Sequence, residues 1–447
     1  MSAGLRLFGT DGVRGVAGEW PLDPQTVARL GAAIVRERKA SDPVRLILGR
    51  DTRESGEWIE RELARGAASQ GAVVTSAGVL PTPGVAFLAR AQDFDLGVVL
   101  SASHNPYGDN GIKVFSGHGE KFGERDERVV EAIMADPGWR VGDSSPGRVH
   151  QADFVEAYLD HVRRLFPAPG ALEGARIAVD MANGATTSTA RSLFASLGFE
   201  LVTLGDAPDG RNINLACGST HPAQMAAAVV ADGCRLGVAF DGDGDRAIFV
   251  DHRGRIVDGD AVLLMLALHY QRRGALPGDT VVATVMSNIG LELALKQHGL
   301  QLIRTPVGDK YVMEAMLSGS YVLGGEQSGH VILAEHLPTG DGMATALAVL
   351  RVMAETGREL ADLAGELVTY PQTLTNVRVR EKRDVAAVPE VQAAIARVES
   401  ALAGRGRVLV RYSGTEPLLR IMIEGPDQAS VQAWAEEIAD AVRSTLV

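Results

Sequence analysis

Residues 96–106 read Leu96-Gly97-Val98-Val99-Leu100-Ser101-Ala102-Ser103-His104-Asn105-Pro106, an apolar run that passes into a polar turn with no helix between. A short apolar run bounded by turn formers reads as a buried strand. Upstream of it, residues 44–48, 59–68, 73–78 and 85–91 alternate short apolar runs with amphipathic stretches, so strand and helix take turns. That rhythm predicts an α/β unit. In such sheets, side chains just past the carboxyl end of a buried strand face the crevice where ligands bind. A hydroxyl placed there can be a nucleophile.

The rhythm returns from residues 176–179 to 236–240 and again from 280–283 to 321–323, although the three segments do not align residue by residue. It is a repeat of architecture. A turn-rich stretch over residues 136–147 closes the first unit, and residues 251–255 read as a hairpin tip before the third. After Tyr370-Pro371 the pattern changes to a strand at 374–379, a helix at 388–402, strands at 407–412 and 419–423, and a closing helix at 431–442. The expected fold is therefore α/β: three similar α/β domains with mixed sheets, at 1–155, 156–257 and 258–370, and a smaller C-terminal α+β domain at 371–447.

Composition narrows the function classes. A chain of 447 residues needs several cores, and 46% apolar residues suffice to build them. No run approaches a membrane span, and the N-terminal residues lack an apolar signal core, so a cytoplasmic location is expected. A formal net charge of −12 and the lack of aromatic-basic interleaving argue against nucleic acid. Cys217 and Cys234 lie outside any C-x-x-C pattern and read as ordinary thiols.

Three further loops follow apolar runs. In Asp241-Gly242-Asp243-Gly244-Asp245-Arg246, aspartates at alternate positions converge on one point if the glycines let the backbone wind around a hard divalent cation. An EF-hand would need glycine sixth and glutamate twelfth, where this chain has Arg246 and His252. A dehalogenase-type phosphatase with an aspartate nucleophile remains the rival for that loop alone. Arg411, Ser413, Gly414, Thr415 and Arg420 suit a phosphate cradle, with two guanidiniums, two hydroxyls and a glycine that exposes backbone N–H groups. Glu326 and Ser328, in the glycine-rich loop 324–330, suit vicinal sugar hydroxyls, and His330 stands beside them as a candidate acid or base. Phe8-Gly9-Thr10-Asp11-Gly12-Val13-Arg14-Gly15 is a further glycine-rich loop without dinucleotide spacing, and Arg14 is its candidate phosphate contact.

Together these loops resemble the α-D-phosphohexomutase superfamily, in the family's order and through all four expected domains. The segments at 8–15, Cys217-Gly218-Ser219-Thr220-His221, Val285-Met286-Ser287-Asn288, 325–330 and Tyr370-Pro371-Gln372 are most similar to the bacterial phosphoglucosamine mutase branch. One departure is Met181-Ala182-Asn183-Gly184, where that branch often has a histidine before the glycine.

The resemblance implies four domains around one central cleft, with Ser103 bearing the transferable phosphoryl group and Asp241, Asp243 and Asp245 binding Mg2+ together with a phosphate oxygen on Ser103. It implies that Arg14, His104, Lys113, Arg246 and His330 line the reacting end, that Glu326 and Ser328 hold sugar hydroxyls, and that the 411–420 cradle holds the non-reacting phosphate. The implied reaction interconverts glucosamine 6-phosphate and glucosamine 1-phosphate through a phosphoserine and a glucosamine 1,6-bisphosphate, toward UDP-N-acetylglucosamine and cell-wall precursors. Glucosamine or glucose 1,6-bisphosphate would serve as activator. The implied substrate is a hexose or hexosamine phosphate, and a homodimer is among the assemblies left open. A phosphoglucomutase or phosphomannomutase is the alternative within enzymes. A non-catalytic sugar-phosphate-binding protein is the alternative outside them, although it would need neither Ser103 nor the aspartates.

Overall fold

The computed structural model describes residues 6–38, 43–141, 149–166, 170–413 and 417–447. The turn expected near residues 145–147, and Gly414 and Thr415 of the expected cradle, lie outside the described residues. The chain forms two compact units, one of Met1–Met286 with Leu300–Glu366 and the other of Ser287–Gly299 with Leu367–Val447. Four sheets run through them.

The first sheet has seven strands, with Arg45–Arg50 and Leu96–Leu100 parallel at its centre and Asp109–Ser116 running antiparallel beside Leu96–Leu100. Leu46, Leu48, Leu96, Val98 and Leu100 are all fully buried on these strands. Each such side chain contributes roughly 1.5–3 kcal/mol by leaving water. Helices Pro24–Arg38 and Gly56–Ala68 pack closely on one another, because Gly31 and Gly66 leave no room for a Cβ against the facing backbone.

Glycine decides one local feature that the sequence did not disclose. The stretch read as a loop at 8–15 is a hairpin of Phe8–Gly9 and Gly12–Val16, whose second strand pairs with Asp109–Ser116. At Gly12 φ is +80°, and an added Cβ would lie 2.4 Å from the Ile112 carbonyl. A two-residue strand carries no periodicity to read.

The second sheet orders Ile256–Val257, Ala247–Asp251, Leu236–Phe240, Arg176–Asp180 and Glu200–Leu204, and the third orders Gln301–Thr305, Thr280–Thr284, Leu323–Gly325 and Val331–Leu333. All three of these sheets share one device. A strand parallel to its inner neighbour ends in a polar loop and returns as an antiparallel strand: Leu96–Leu100 to Asp109–Ser116, Leu236–Phe240 to Ala247–Asp251, and Leu323–Gly325 to Val331–Leu333. The loops at 101–108, 241–246 and 326–330 are the connections. The expected hairpin tip at 251–255 is present, with the Asp251 carboxylate accepting from the backbone N–H of Arg253 and Arg255.

In the second unit, Gln372–Arg378, Leu418–Glu424 and Arg407–Tyr412 form an antiparallel sheet covered by helices Pro389–Leu402 and Gln428–Leu446. The helix Ile289–Gln297 belongs to this unit. The fully buried Glu424 carboxylate accepts from the Ile289 N–H at 3.0 Å and from Asn288 Nδ2 at 3.3 Å, while Asn288 Oδ1 accepts from the Tyr370 N–H at 3.0 Å. No helix among the described residues is long and apolar enough to cross a membrane.

Candidate active site

Ser103 is fully buried and holds a φ of +53°. A non-glycine residue in that region costs roughly 1–2 kcal/mol and persists where its surroundings over-determine it. Here they do. Ser101 Oγ donates to Asp51 Oδ2 at 2.5 Å and accepts from the Ser103 N–H at 2.9 Å. The Ser103 carbonyl accepts from Arg53 Nη2 at 3.1 Å and Asn214 Nδ2 at 2.9 Å, and both groups also donate to the Asn105 carbonyl. Arg53 is 1% exposed and pairs in turn with Asp51, Nε to Oδ2 at 3.3 Å.

Gly242 closes this frame, since an added Cβ would lie 2.5 Å from the Ser103 carbonyl. Gly242→Ala is therefore expected to lower stability by about 1–3 kcal/mol through overpacking, and to lower kcat more than it raises KM. Thermal melting and steady-state kinetics check this. Wild-type values in both would show that the turn does not depend on the close approach.

The Ser103 hydroxyl donates to Asp241 Oδ2. Ligand oxygens of Asp241, Asp243 and Asp245 lie within 4.8 Å of one another, and all three side chains are buried. Asp243 Oδ2 accepts from Lys113 Nζ at 2.8 Å and Thr82 Oγ1 at 2.6 Å, while its buried Oδ1 has no hydrogen-bond partner. A buried carboxylate oxygen without a donor is costly. Three carboxylates in one enclosure, with Oδ1 of both Asp243 and Asp245 lacking a hydrogen-bond partner, fit a hard divalent cation.

Electrostatics around the triad are strongly graded. Burial, and then Asp245 and Asp243, push the Asp241 carboxyl well above its ordinary range. For Asp245, burial alone would raise the pKa, but Lys113, His330 and Arg246 outweigh it and hold the group well below that range. Lys113 Nζ also lies 3.1 Å from Asp245 Oδ2 and 3.2 Å from Asp11 Oδ2. These carboxylates outweigh its burial and hold its proton firmly.

A cavity of about 350 Å3 opens beside this cluster, lined by Arg14, His104, Asp245, Arg246, Glu326 and His330 among others. His104 has its pKa lowered to about 4 by burial and then by Arg246 and Arg14. Its Nδ1 lies 2.9 Å from Arg246 Nη1. A guanidinium only donates, so Nδ1 accepts and is not free to take a proton. His330 stands 3.5 Å from Asp245 Oδ1 and 3.7 Å from Asp309 Oδ2, and these carboxylates outweigh burial and raise its pKa. Glu326 accepts from the Gly308 N–H at 3.2 Å and from Ser328 Oγ at 3.3 Å; Ser328 itself is exposed. The aspartate loop and this loop meet through backbone pairing of Arg246 with His330.

In the second unit Arg411 and Arg420 stand opposite each other on paired antiparallel strands. Burial, and then Arg420, lower the Arg411 pKa. The Ser413 carbonyl accepts from Lys382 Nζ at 2.6 Å, which adds a third cation to this end of the sheet. Like charges side by side suit an anion.

Several residues of the cluster escaped the reading of the sequence. Asp11 lies in the quoted 8–15 segment but was passed over for Arg14, to which it is hydrogen-bonded. Lys121 joins Asp11 to Asp309, and neither Lys121 nor Asp309 carries any local signal. Asp51 and Arg53 follow the strand Arg45–Arg50 as Asp51-Thr52-Arg53, a polar turn after an apolar run, and that position was the available clue.

Family profiles for phosphoglucomutase/phosphomannomutase match in sequence: alpha/beta/alpha domain I over residues 5–140, domain II over 156–254, domain III over 258–370 and the C-terminal domain over 374–441. A phosphoglucosamine mutase of Solibacter usitatus is 48% identical over 440 residues, covering 98% of each chain. The chain belongs to the phosphoglucosamine mutase branch of this family. A phosphoglucosamine mutase of Moorella thermoacetica is 49% identical, covering 96% of this chain and 97% of its own. Among solved structures, a phosphoglucomutase/phosphomannomutase family protein of Burkholderia thailandensis shares the fold with a TM-score of 0.82 at 24% identity, covering 98% of this chain and 97% of its own. An Aspergillus fumigatus N-acetylphosphoglucosamine mutase, solved with GlcNAc-6P and magnesium, shares it with a TM-score of 0.70 at 18% identity, covering 100% and 97%. The family is one of phosphohexose mutases, and the buried aspartate triad fits the metal site such an enzyme needs.

Proposed function

We propose that this chain interconverts glucosamine 6-phosphate and glucosamine 1-phosphate by carrying a phosphoryl group on Ser103. The observation that carries the reading is the Ser103 hydroxyl, fixed in a left-handed turn and bonded to Asp241 of the carboxylate triad. Relatives at 48% and 49% identity bear the name of this activity.

In the first step the bond between phosphorus and Ser103 Oγ breaks as one forms to the free sugar hydroxyl oxygen, whose proton passes to a base in the cavity. The product is glucosamine 1,6-bisphosphate. This intermediate turns end for end. The Ser103 oxygen, protonated as the first phosphoryl group left it, gives up that proton as it takes the other phosphoryl group, and the sugar oxygen that this group leaves recovers a proton. Of the residues at the reacting end, Arg14 and Arg246 do not give up protons and His104 is occupied by Arg246. Lys113 holds its proton too firmly to act as a base, which leaves His330, beside Asp245, to move the proton. Asp241, Asp243, Asp245 and a phosphate oxygen on Ser103 would hold Mg2+, which when bound offsets charge on the phosphoryl group. Glu326 and Ser328 would hold sugar hydroxyls. Bisphosphate would act as activator by restoring phosphoserine, and the reading places the reaction in the cytoplasm.

A coupled assay on glucosamine 6-phosphate, with Mg2+ and bisphosphate present, tests this directly. The expected result is a higher kcat/KM on glucosamine 6-phosphate than on glucose 1-phosphate or mannose 1-phosphate. No turnover of glucosamine 6-phosphate, or a clear preference for either other sugar, would overturn it.

Arg411, Ser413, Gly414, Thr415 and Arg420 would hold the phosphate that is not reacting. Losing a charge-assisted contact costs about 1.5–3 kcal/mol. Arg420→Ala is accordingly expected to raise KM by roughly 10- to 150-fold, with a smaller fall in kcat from a misoriented hydroxyl. Unchanged KM and kcat would remove the cradle from the mechanism.

A further inference from the structure

A second cavity, of about 650 Å3, opens on the first unit, and none of the residues lining it lines the cavity beside Ser103. Its floor is made of rings. Phe87, His161 and His336 form a continuous stack, with centroids 4.2 Å and 4.0 Å apart and ring planes within 12° and 16° of parallel. All three are buried, and His269 and Tyr270 line the same cavity from the helix Gly259–Arg272.

Its rim is made of guanidiniums. Arg90 comes from the helix Thr82–Ala91, Arg164 follows the helix Val155–Arg163, Arg273 follows Gly259–Arg272, and Arg351 stands on Gly342–Thr356. Every cation on the rim is an arginine, the side chain whose planar fork matches phosphate oxygens. Arg273 and Arg351 share one carboxylate, that of Glu355, at 2.8 Å and 2.7 Å. Arg90 donates to the His336 carbonyl and Arg164 to His161 Nδ1, and neither pairs with a carboxylate among the described residues. Among the described residues, Glu335 is the one carboxylate lining the cavity. The mouth is therefore positive on a chain whose net charge is −12, which favours an anion there over the surrounding surface.

A buried donor points the same way. Because His161 Nδ1 accepts from Arg164, its proton lies on Nε2, and that nitrogen is buried without a hydrogen-bond partner. Burial and the neighbouring His336 lower its pKa to about 4, so the ring is neutral at ordinary pH. An unmet N–H costs about 1–3 kcal/mol, which an acceptor on a ligand would recover.

We propose that this cavity binds a nucleoside phosphate, with its planar base against the ring floor and its phosphates among the rim arginines. The volume suits an organic ligand rather than a bare ion. A free phosphate would occupy the rim and leave most of the cavity unfilled, and a sugar phosphate would set its hydroxyls against the carbon edges of the stacked rings. The proposal does not rest on the mutase reading.

The test is calorimetry on the full-length protein, with excess glucosamine 6-phosphate present to occupy the cavity beside Ser103. ADP and UDP serve as nucleotide probes, pyrophosphate as the phosphate-only probe and adenosine as the base-only probe. At least one nucleotide should bind once per chain, about tenfold or more tighter than pyrophosphate or adenosine. The double variant Arg90→Gln, Arg164→Gln should weaken that binding by about tenfold or more, while basal turnover and melting stay at wild-type values. Hydrogen exchange on the wild type supplies a readout that needs no variant: the nucleotide should protect Val155–Arg163 and Gly342–Thr356. Failure of both nucleotides to bind at millimolar concentration, pyrophosphate binding as tightly as either, undiminished binding to the double variant, or protection confined to other segments would each overturn the proposal.

Discussion

Ser103→Ala should lose mutase turnover by roughly 10⁴-fold or more, as expected when a covalent carrier is deleted from a two-step transfer, while Ser101→Ala keeps measurable activity. The two serines stand in one turn but do different work. Ser103 Oγ meets Asp241 of the triad. Ser101 Oγ faces away, donating to Asp51 and accepting from the Ser103 backbone. Removing the Ser101 hydroxyl leaves a buried carboxylate oxygen and a buried N–H short of a partner, which costs about 1–3 kcal/mol of stability. It deletes no reacting atom. Intact-protein mass spectrometry should find one phosphoryl group on active wild type and on Ser101→Ala, and none on Ser103→Ala. Wild-type turnover from Ser103→Ala would end the phosphoserine mechanism, and equal loss from both variants would mean that the turn acts only as a unit.

How the sequence could disclose this site is a matter of what is local. The strands Leu96–Leu100, Leu236–Phe240 and Arg407–Tyr412 stand where their apolar runs end, because each run is bounded by polar or glycine-rich residues. The helix Gly56–Ala68 begins three residues before the stretch read as amphipathic: Gly56 and Glu57 carry no apolar side chain, while Trp58 packs against the core and extends the apolar face. Resemblance, rather than pattern, singled out Lys113. It lies on Asp109–Ser116, a strand whose antiparallel return was not foreseen, and only that return carries its ammonium to Asp243 and Asp245.

Partners far apart in sequence were the least legible. Asp11, Lys121 and Asp309 meet through the fold alone, and a polar residue at such a position looks like ordinary surface. The segment Tyr370-Pro371-Gln372 was recognised by resemblance, but its environment was not. Tyr370 is tied to Asn288 within the second unit by hydrogen bonds in both directions, and the change of unit falls before it, between Glu366 and Leu367. A composition shift marks where a new core begins, and the chain can join that core several residues earlier through its backbone.

Asp243→Asn should cut kcat by about 10²-fold or more, the several kcal/mol that a phosphoryl-neutralising cation supplies, with partial rescue at high Mg2+. The amide keeps the shape of the side chain, so the loss isolates charge. Asp243 is the informative member of the triad because its Oδ2 is held by Lys113 and Thr82, while its Oδ1 is buried and without a donor. Asp241 would confound the test, since it also receives the Ser103 hydroxyl. Asp245 would confound it through His330 and Arg246. A second readout separates metal binding from catalysis. A ligand bound only by the folded chain raises its stability by RT ln(1 + [L]/Kd), so millimolar Mg2+ should raise the melting midpoint of wild type and leave Asp243→Asn nearly unmoved. Chelator should stop wild-type turnover, and added Mg2+ should restore it. If chelated wild type turns over at full rate and Mg2+ leaves its melting unchanged, Asp243 and Asp245 hold Lys113 in place and the triad binds no metal. Lys113 would then be the main positive charge beside the Ser103 phosphate, and Lys113→Met rather than Asp243→Asn would become the variant with the larger loss.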